Sequence, residues 1–171
     1  AKENDPDAKP DEDGEPAGRE APVEGALVAL DPKDGALLAL VGGAGFSFSN
    51  QLDRASDGRR LMGSAVKPFV WASAFESGRF KPGDKIPDSP VTYSIGGGRS
   101  WSPHNYGNKY YGEVSLDFAL HKSLNSVAIK LLKEIGVDEV LTALSKAAGV
   151  PVDRLPRNLS LALGTADISP V

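Results

Sequence analysis

Two apolar runs, Ala26-Leu27-Val28-Ala29-Leu30 and Ala36-Leu37-Leu38-Ala39-Leu40-Val41, flank the polar segment Asp31-Pro32-Lys33-Asp34-Gly35. Short apolar runs around a turn containing Pro and Asp-Gly predict a β-hairpin. Gly42, Gly43 and Gly45 end it. Residues 46–63 then read as a polar loop carrying Arg54, Arg59 and Arg60. Phe69 to Phe75 reads as a buried helical stretch, with Pro68 in the first turn and Gly78 beyond its end. Residues 78–113 are rich in Gly, Pro, Ser and Tyr. They predict a long, mostly irregular segment of the kind often used for binding, with one short strand near Val91-Thr92-Tyr93-Ser94.

The helical period returns at Ser115, a predicted cap for Leu116 to Lys122. Ser126 to Ile135 places Val127, Leu131 and Ile135 four residues apart, with Ile129 and Leu132 beside them. That spacing predicts an amphipathic helix, stopped by Gly136. Asp138 is the predicted cap of a third helix, Glu139 to Ala148, stopped by Gly149. Ser169-Pro170 reads as a cap with a first-turn proline, the start of a further helix. No internal repeat is present.

Composition changes this picture only at the N-terminus. Residues 1–21 hold no aromatic and no β-branched residue and are dominated by Asp, Glu, Pro, Ala and Gly. Such a segment cannot bury enough apolar surface to offset its ordering entropy, so it is expected to be a disordered acidic linker. Residues 1–24 carry nine acidic and three basic side chains, out of a whole-chain net charge of −4. The remaining residues are therefore nearly neutral. They show no basic stripe, which argues against nucleic acid as a partner. No apolar run approaches the roughly 20 residues of a membrane span, and no signal-peptide pattern begins at Ala1. A mature or excised piece of an anchored protein has the same appearance. The absence of cysteine excludes disulfides, thiol catalysis and cysteine metal sites, and two histidines make a metal site an unpromising reading.

Candidate chemistry lies in two short segments. In Gly63-Ser64-Ala65-Val66-Lys67-Pro68-Phe69, a hydroxyl and an amine are three residues apart. On a helix they share a face, and a neutral amine within reach can take the proton of an attacking serine. Ser64 at a helix start also faces free amides that favour developing negative charge. An ordinary serine cap accounts for the same pattern. With 16 Ser and 11 Lys in 171 residues, Ser-x-x-Lys arises about once by chance. In Lys122-Ser123-Leu124-Asn125, a hydroxyl and a carboxamide lie two residues apart between predicted helices. The carboxamide both donates and accepts, which suits recognition of a peptide amide. A helix N-cap at Asn125 is the alternative.

Read together, the two segments resemble the transpeptidase domain of class A, bifunctional penicillin-binding proteins. That family carries Ser-x-x-Lys, then Ser-x-Asn, then Lys-Thr/Ser-Gly. Ser64–Lys67 matches the first, within Gly-Ser-x-x-Lys-Pro-Phe. Ser123–Asn125 matches the second, 59 residues later. Ala26 to Pro32, Trp101-Ser102-Pro103-His104-Asn105-Tyr106 and Leu161-Ala162-Leu163-Gly164-Thr165 look like the same family. The resemblance covers about residues 23–171. Neither Lys-Thr-Gly nor Lys-Ser-Gly occurs. The resemblance therefore implies the N-terminal part of a transpeptidase domain over residues 22–171, ending before the later sheet strands. The implied fold is α+β, an antiparallel sheet packed with helices, as in penicillin-binding proteins and serine β-lactamases.

The resemblance implies acyl transfer from D-Ala-D-Ala stem peptides of peptidoglycan. Ser64 is the implied nucleophile, Lys67 the base, Ser123 the proton relay and Asn125 the substrate-binding amide. No metal or cofactor enters this chemistry. β-Lactams are implied ligands, an upstream glycosyltransferase domain an implied neighbour in the full-length chain, and the outer face of the bacterial cytoplasmic membrane the implied location. To act as base near pH 7, Lys67 must lose roughly three units from a reference pKa of about 10.4, through burial or a nearby cation. The family's third-motif lysine is such a cation, and these residues lack it. A non-catalytic β-lactam sensor or a degenerate transpeptidase that binds partners is the alternative function, with a β-lactamase behind it. His104 and His121 match no catalytic position of the family. Trp101, Tyr106, Tyr110 and Tyr111 are expected either to line the cleft or to pack the long loop.

Overall fold

The computed structural model describes residues 23–48 and 50–171. The linker expected over residues 1–21 lies outside the described residues. Two compact units divide the chain after Ala55.

In the first unit, β1 (Leu27–Leu30) and β2 (Leu37–Val41) form the predicted antiparallel hairpin. The turn is closed by Asp31 N donating to the Ala36 carbonyl and Gly35 N donating to the Asp31 carbonyl, both at 2.8 Å. Asp31 and Asp34 side chains accept from Lys33 N and Ala36 N, the usual way aspartate holds a turn. Glu24 accepts from Ala44 N and Asn50 Nδ2, and Arg54 bonds the Asn50 carboxamide oxygen. The polar segment after the hairpin is therefore tied down by side-chain bonds.

The second unit, Ser56–Val171, holds the helices. A short strand, β3 (Arg60–Leu61), leads into a 3-10 turn over Gly63–Val66 and then α1 (Lys67–Glu76). Pro68 sits in the first turn of α1, where its missing N–H costs nothing. Ser64 is not a helix cap, because neither the turn nor α1 has a side-chain cap bond.

The long segment after α1 is more ordered than its composition predicts. β4 (Lys85–Asp88) pairs antiparallel with β7 (Gly112–Ser115), and β5 (Tyr93–Ser94) pairs with β6 (Ser100–Trp101). β5 falls within the strand expected at Val91–Ser94; the other three are short and interrupted by Gly and Pro, so no period of two runs long enough to be read. Gly96, Gly97 and Gly98, all at positive φ, carry the β5–β6 turn.

α2 (Leu116–His121), α3 (Asn125–Ile135) and α4 (Val137–Ala148) follow. Ser115 precedes α2 but makes no side-chain cap bond. Asn125 is inside α3 and Leu124 holds the N-cap place, so the cap reading of Asn125 fails. Asp138 lies within α4, not before it, and Gly136 precedes that helix. The Asp138 carboxylate accepts from Arg157 instead, at 2.7 Å. Ser169-Pro170-Val171 is too short to close a helical turn, so it neither forms nor excludes the expected helix start. Asp167–Ile168 is β8, paired antiparallel with β3.

The core lies in this unit. α1 packs against α3 and α4, and α3 against a 3-10 turn at Leu159–Leu163. Val70, Trp71, Val127, Leu131, Leu132, Leu141, Leu144 and Leu161 are almost wholly buried. Trp71 satisfies its indole N–H on the Leu116 carbonyl at 2.8 Å, as a buried indole requires. This core holds α1 beside the start of α3. All four of the sequence-predicted site residues lie on or next to those two elements.

Candidate active site

Ser64 lies in the 3-10 turn one residue after Gly63, and its exposed side chain faces Lys67 one turn on. The turn is anchored from below. Gly63 N donates to the Gly164 carbonyl at 3.1 Å and Met62 N to the Ala166 carbonyl at 3.0 Å. Gly164 adopts φ +76°, and a Cβ on it would fall 1.9 Å from the Gly63 carbonyl oxygen. Only glycine permits this approach. Gly164 is a residue of the site that the motifs did not single out. Its signal was present as the glycine of Leu161-Ala162-Leu163-Gly164-Thr165.

Ser123 and Asn125 arrive from the α2–α3 junction. Ser123 N donates to the Leu120 carbonyl and Leu124 N to the Ala119 carbonyl, both at 2.9 Å. This is the Schellman closure of a helix, whose left-handed position usually holds glycine. Here that position is Ser123, at φ +54°. Asn125 follows in the first turn of α3.

Lys67 joins all three. Its Nζ is 3.2 Å from Ser64 Oγ, 2.9 Å from Ser123 Oγ, 2.6 Å from the Ser123 carbonyl oxygen and 2.7 Å from Asn125 Oδ1. Lys67 is 1% exposed, and desolvation by burial lowers its pKa from 10.5 to about 8. Burial disfavours the ammonium because the charge loses its water. About one amine in eleven is then neutral at pH 7.

The partners dictate what the neutral amine does. It has two N–H bonds and one lone pair. The Ser123 carbonyl and Asn125 Oδ1 can only accept, so they take the two N–H groups. The lone pair is left for a hydroxyl, and Ser64 Oγ and Ser123 Oγ are the two within reach. The arrangement can therefore draw a proton from Ser64 and pass one through Ser123.

A second polar layer lies behind the first. Asn125 Nδ2 donates to the His104 carbonyl at 2.8 Å. The neighbouring Asn105 accepts from Ser126 N at 3.0 Å and donates to Asp88 Oδ1 at 2.7 Å. Sequence reasoning passed over Asp88, which stands far from both motifs. The aromatic stretch packs its own loop and α2: Trp101 lies tilted against Tyr93, Tyr111 meets Phe118 of α2 edge-on, and Tyr110 bonds His104. Tyr106 alone of these is fully exposed. His104 contributes its backbone carbonyl to the site. Among the described residues, no cluster of three or more His, Asp or Glu can hold a metal ion. No helix of these residues is long and apolar enough to cross a membrane.

Residues 25–149 match the family described as the penicillin binding protein transpeptidase domain. The chain is 39% identical over 150 residues to penicillin-binding protein 1A of Pseudomonas aeruginosa, covering 87% of this chain and 18% of that protein. Penicillin-binding protein 1A of Aquifex aeolicus is 38% identical, with 87% and 20% covered. Among solved structures, penicillin-binding protein 1A from Haemophilus influenzae superposes with a TM-score of 0.78 at 33% identity, over 86% of this chain and 22% of that one. The penicillin-binding protein PonA1 of Mycobacterium tuberculosis, solved with penicillin V, gives 0.71 at 25% identity over 84% and 39%. This chain thus spans about a fifth of the curated relatives' length. With the matched residues running from the hairpin through Ser64, Lys67, Ser123 and Asn125 to the end of α4, the chain belongs to the penicillin-binding protein transpeptidase family.

Proposed function

We propose that this chain supplies the acylating side of a peptidoglycan D,D-transpeptidase, with Ser64 as nucleophile. The observation that carries the reading is Lys67: a buried amine, with its pKa lowered to about 8, bonded to both candidate hydroxyls and to Asn125.

Ser64 Oγ attacks the carbonyl of the penultimate D-Ala while its proton passes to the Lys67 lone pair. The tetrahedral adduct collapses by breaking the peptide C–N bond. A proton reaches the departing D-Ala amine through Ser123, and the stem peptide remains as an ester on Ser64. The amine of a second stem then attacks that ester, gives up a proton along the same path and regenerates the Ser64 hydroxyl. Asn125 bonds the substrate backbone. A β-lactam enters the same first step, but its leaving nitrogen stays tethered through the opened ring. This reading makes penicillins ligands of the site.

The whole protein is proposed to be membrane-anchored, with this domain outside the cytoplasmic membrane and a glycosyltransferase domain upstream. The 171 residues by themselves are expected to be poorly active. The Lys-Thr/Ser-Gly motif is not among them; in the family the residue after it supplies a backbone amide to the oxyanion hole, and one such donor is worth about 100- to 1,000-fold in rate. The test uses a protein of the relatives' full length that contains this chain. It should be labelled stoichiometrically by a fluorescent penicillin and release D-Ala from a stem-peptide substrate. Ser64→Ala should do neither, and labelling of that variant at the parent level would refute the assignment.

A further inference from the structure

We infer that Asp88 and Asn105 are positioning residues for the reaction, fixing the orientation of the Asn125 carboxamide so that the Lys67 lone pair stays available to a hydroxyl. The inference rests on the function proposed above and adds two residues outside its motifs.

The Asn125 carboxamide has two ends of nearly equal shape and opposite hydrogen-bonding character. As it stands, Oδ1 accepts from Lys67 Nζ at 2.7 Å and Nδ2 donates to the His104 carbonyl at 2.8 Å. Rotated by half a turn, it would aim an N–H donor at Lys67. That donor would claim the amine lone pair, and the base would be lost. The His104 carbonyl prevents this, because a carbonyl only accepts and so holds Nδ2 on its side. The orientation of Asn125 therefore depends on where that carbonyl is kept.

His104 itself is exposed, but the next residue is held. Asn105 is 5% exposed, and both ends of its carboxamide are engaged. Oδ1 accepts from Ser126 N, in the first turn of α3, at 3.0 Å. Nδ2 donates to the Lys109 carbonyl at 3.0 Å and to Asp88 Oδ1 at 2.7 Å. Asp88, 1% exposed at the end of β4, also accepts from the Ser126 hydroxyl through Oδ1 and from Tyr111 N at 2.9 Å through Oδ2. Ser126 is fully buried. One carboxylate thus ties the 104–111 loop at both ends to the start of the helix that bears Asn125. A buried carboxylate that makes no salt bridge among the described residues is costly unless every donor is in place. Here three donors are, and they converge on one loop and one helix start.

A merely structural role and a positioning role differ in coupling, which a double-mutant cycle reads. The measurement is the second-order rate of penicillin acylation in the full-length protein, for the parent, Asp88→Ala, Asn125→Ala and the double variant. Thermal unfolding first establishes that each variant is folded. Asp88→Ala should slow acylation about ten- to a hundredfold when Asn125 is present, as loss of alignment does. It should change the rate less than about twofold in the Asn125→Ala background. Equal slowing in both backgrounds, or no slowing in the first, would overturn the inference. If Asp88→Ala does not fold, Asp88→Asn is put through the same cycle and judged by the same criterion. It keeps one acceptor for Asn105 and Ser126 but presents a donor to Tyr111 N. A parent protein that penicillin does not label would count against the proposed function, whereas a labelled parent with an uncoupled Asp88 counts against the positioning role alone.

Discussion

Lys67 shows how little chemistry need be added to an ordinary side chain. Its burial lowers the pKa from 10.5 to about 8, which corresponds to roughly 3–4 kcal/mol at about 1.4 per unit. The sequence motifs placed Ser64 and Lys67 on one face, and the 3.2 Å contact bears that spacing out. They did not reveal that the Ser123 carbonyl and Asn125 would occupy the two N–H groups, because that depends on a contact 56 to 58 residues away in the chain. Arginine is permanently protonated and cannot accept a proton. Lys67→Arg should therefore acylate about 100- to 10,000-fold more slowly than the parent, the usual worth of a general base, and no faster than Lys67→Ala. Stopped-flow acylation with a chromogenic β-lactam measures this. An arginine variant that kept most of the rate would mean that only the positive charge matters.

At the scale of elements, two junctions set the site, and the first breaks a local preference. The α2–α3 junction closes like a glycine-ended helix but carries Ser123 in the left-handed position. An L-residue there costs about 1–2 kcal/mol, part of which glycine would return through its own larger unfolded-state entropy. Ser123→Gly should thus be as stable as the parent or up to about 1 kcal/mol more stable, yet acylate more slowly, the trade expected where strain serves function. Thermal unfolding and labelling on the same samples check both halves, and a destabilised variant with normal labelling would contradict the account. The other junction is Gly164 beneath Gly63. Gly164→Ala meets the Gly63 carbonyl at 1.9 Å and a positive φ together. A loss of about 2 kcal/mol or more is expected, with labelling of Ser64 reduced in the protein that remains folded. Unchanged unfolding temperature and labelling would show that the Gly63–Val66 turn is not held from this side.

The three long helices and the hairpin were legible because their apolar spacing is local. Val127, Leu131 and Ile135 announce α3 without any knowledge of its neighbours. Of the short strands, β5 alone was legible, at Tyr93–Ser94 within the predicted Val91–Ser94 strand; the others were not, since pairs such as Arg60–Leu61 with Asp167–Ile168 are two residues long and over 100 residues apart. The family of the site was legible through Ser64, Lys67, Ser123 and Asn125. Asp88 was not, because a lone aspartate among Gly and Pro carries no spacing signal.

For the molecule as a whole, the site's rigidity comes from the core of the Ser56–Val171 unit. Leu131 is fully buried on α3, where α1 and the 159–163 turn pack. Leu131→Ala should cost about 2–5 kcal/mol, read as a lower denaturant midpoint, while a cost below 1 kcal/mol would mean that this helix face is not closely packed. The central claim, however, is that a buried, neutral Lys67 is the base for Ser64, and the pH dependence of acylation tests it most directly. The neutral fraction of a group with a pKa of about 8 grows about tenfold per pH unit below that value and levels off above it. The second-order rate of penicillin acylation in the full-length protein should therefore climb with pH from 6, bend at or below about 8, since the third-motif cation lowers the pKa further, and reach a plateau. A rate constant that stays flat from pH 6 to 9, or falls as pH rises toward 8, would contradict the account.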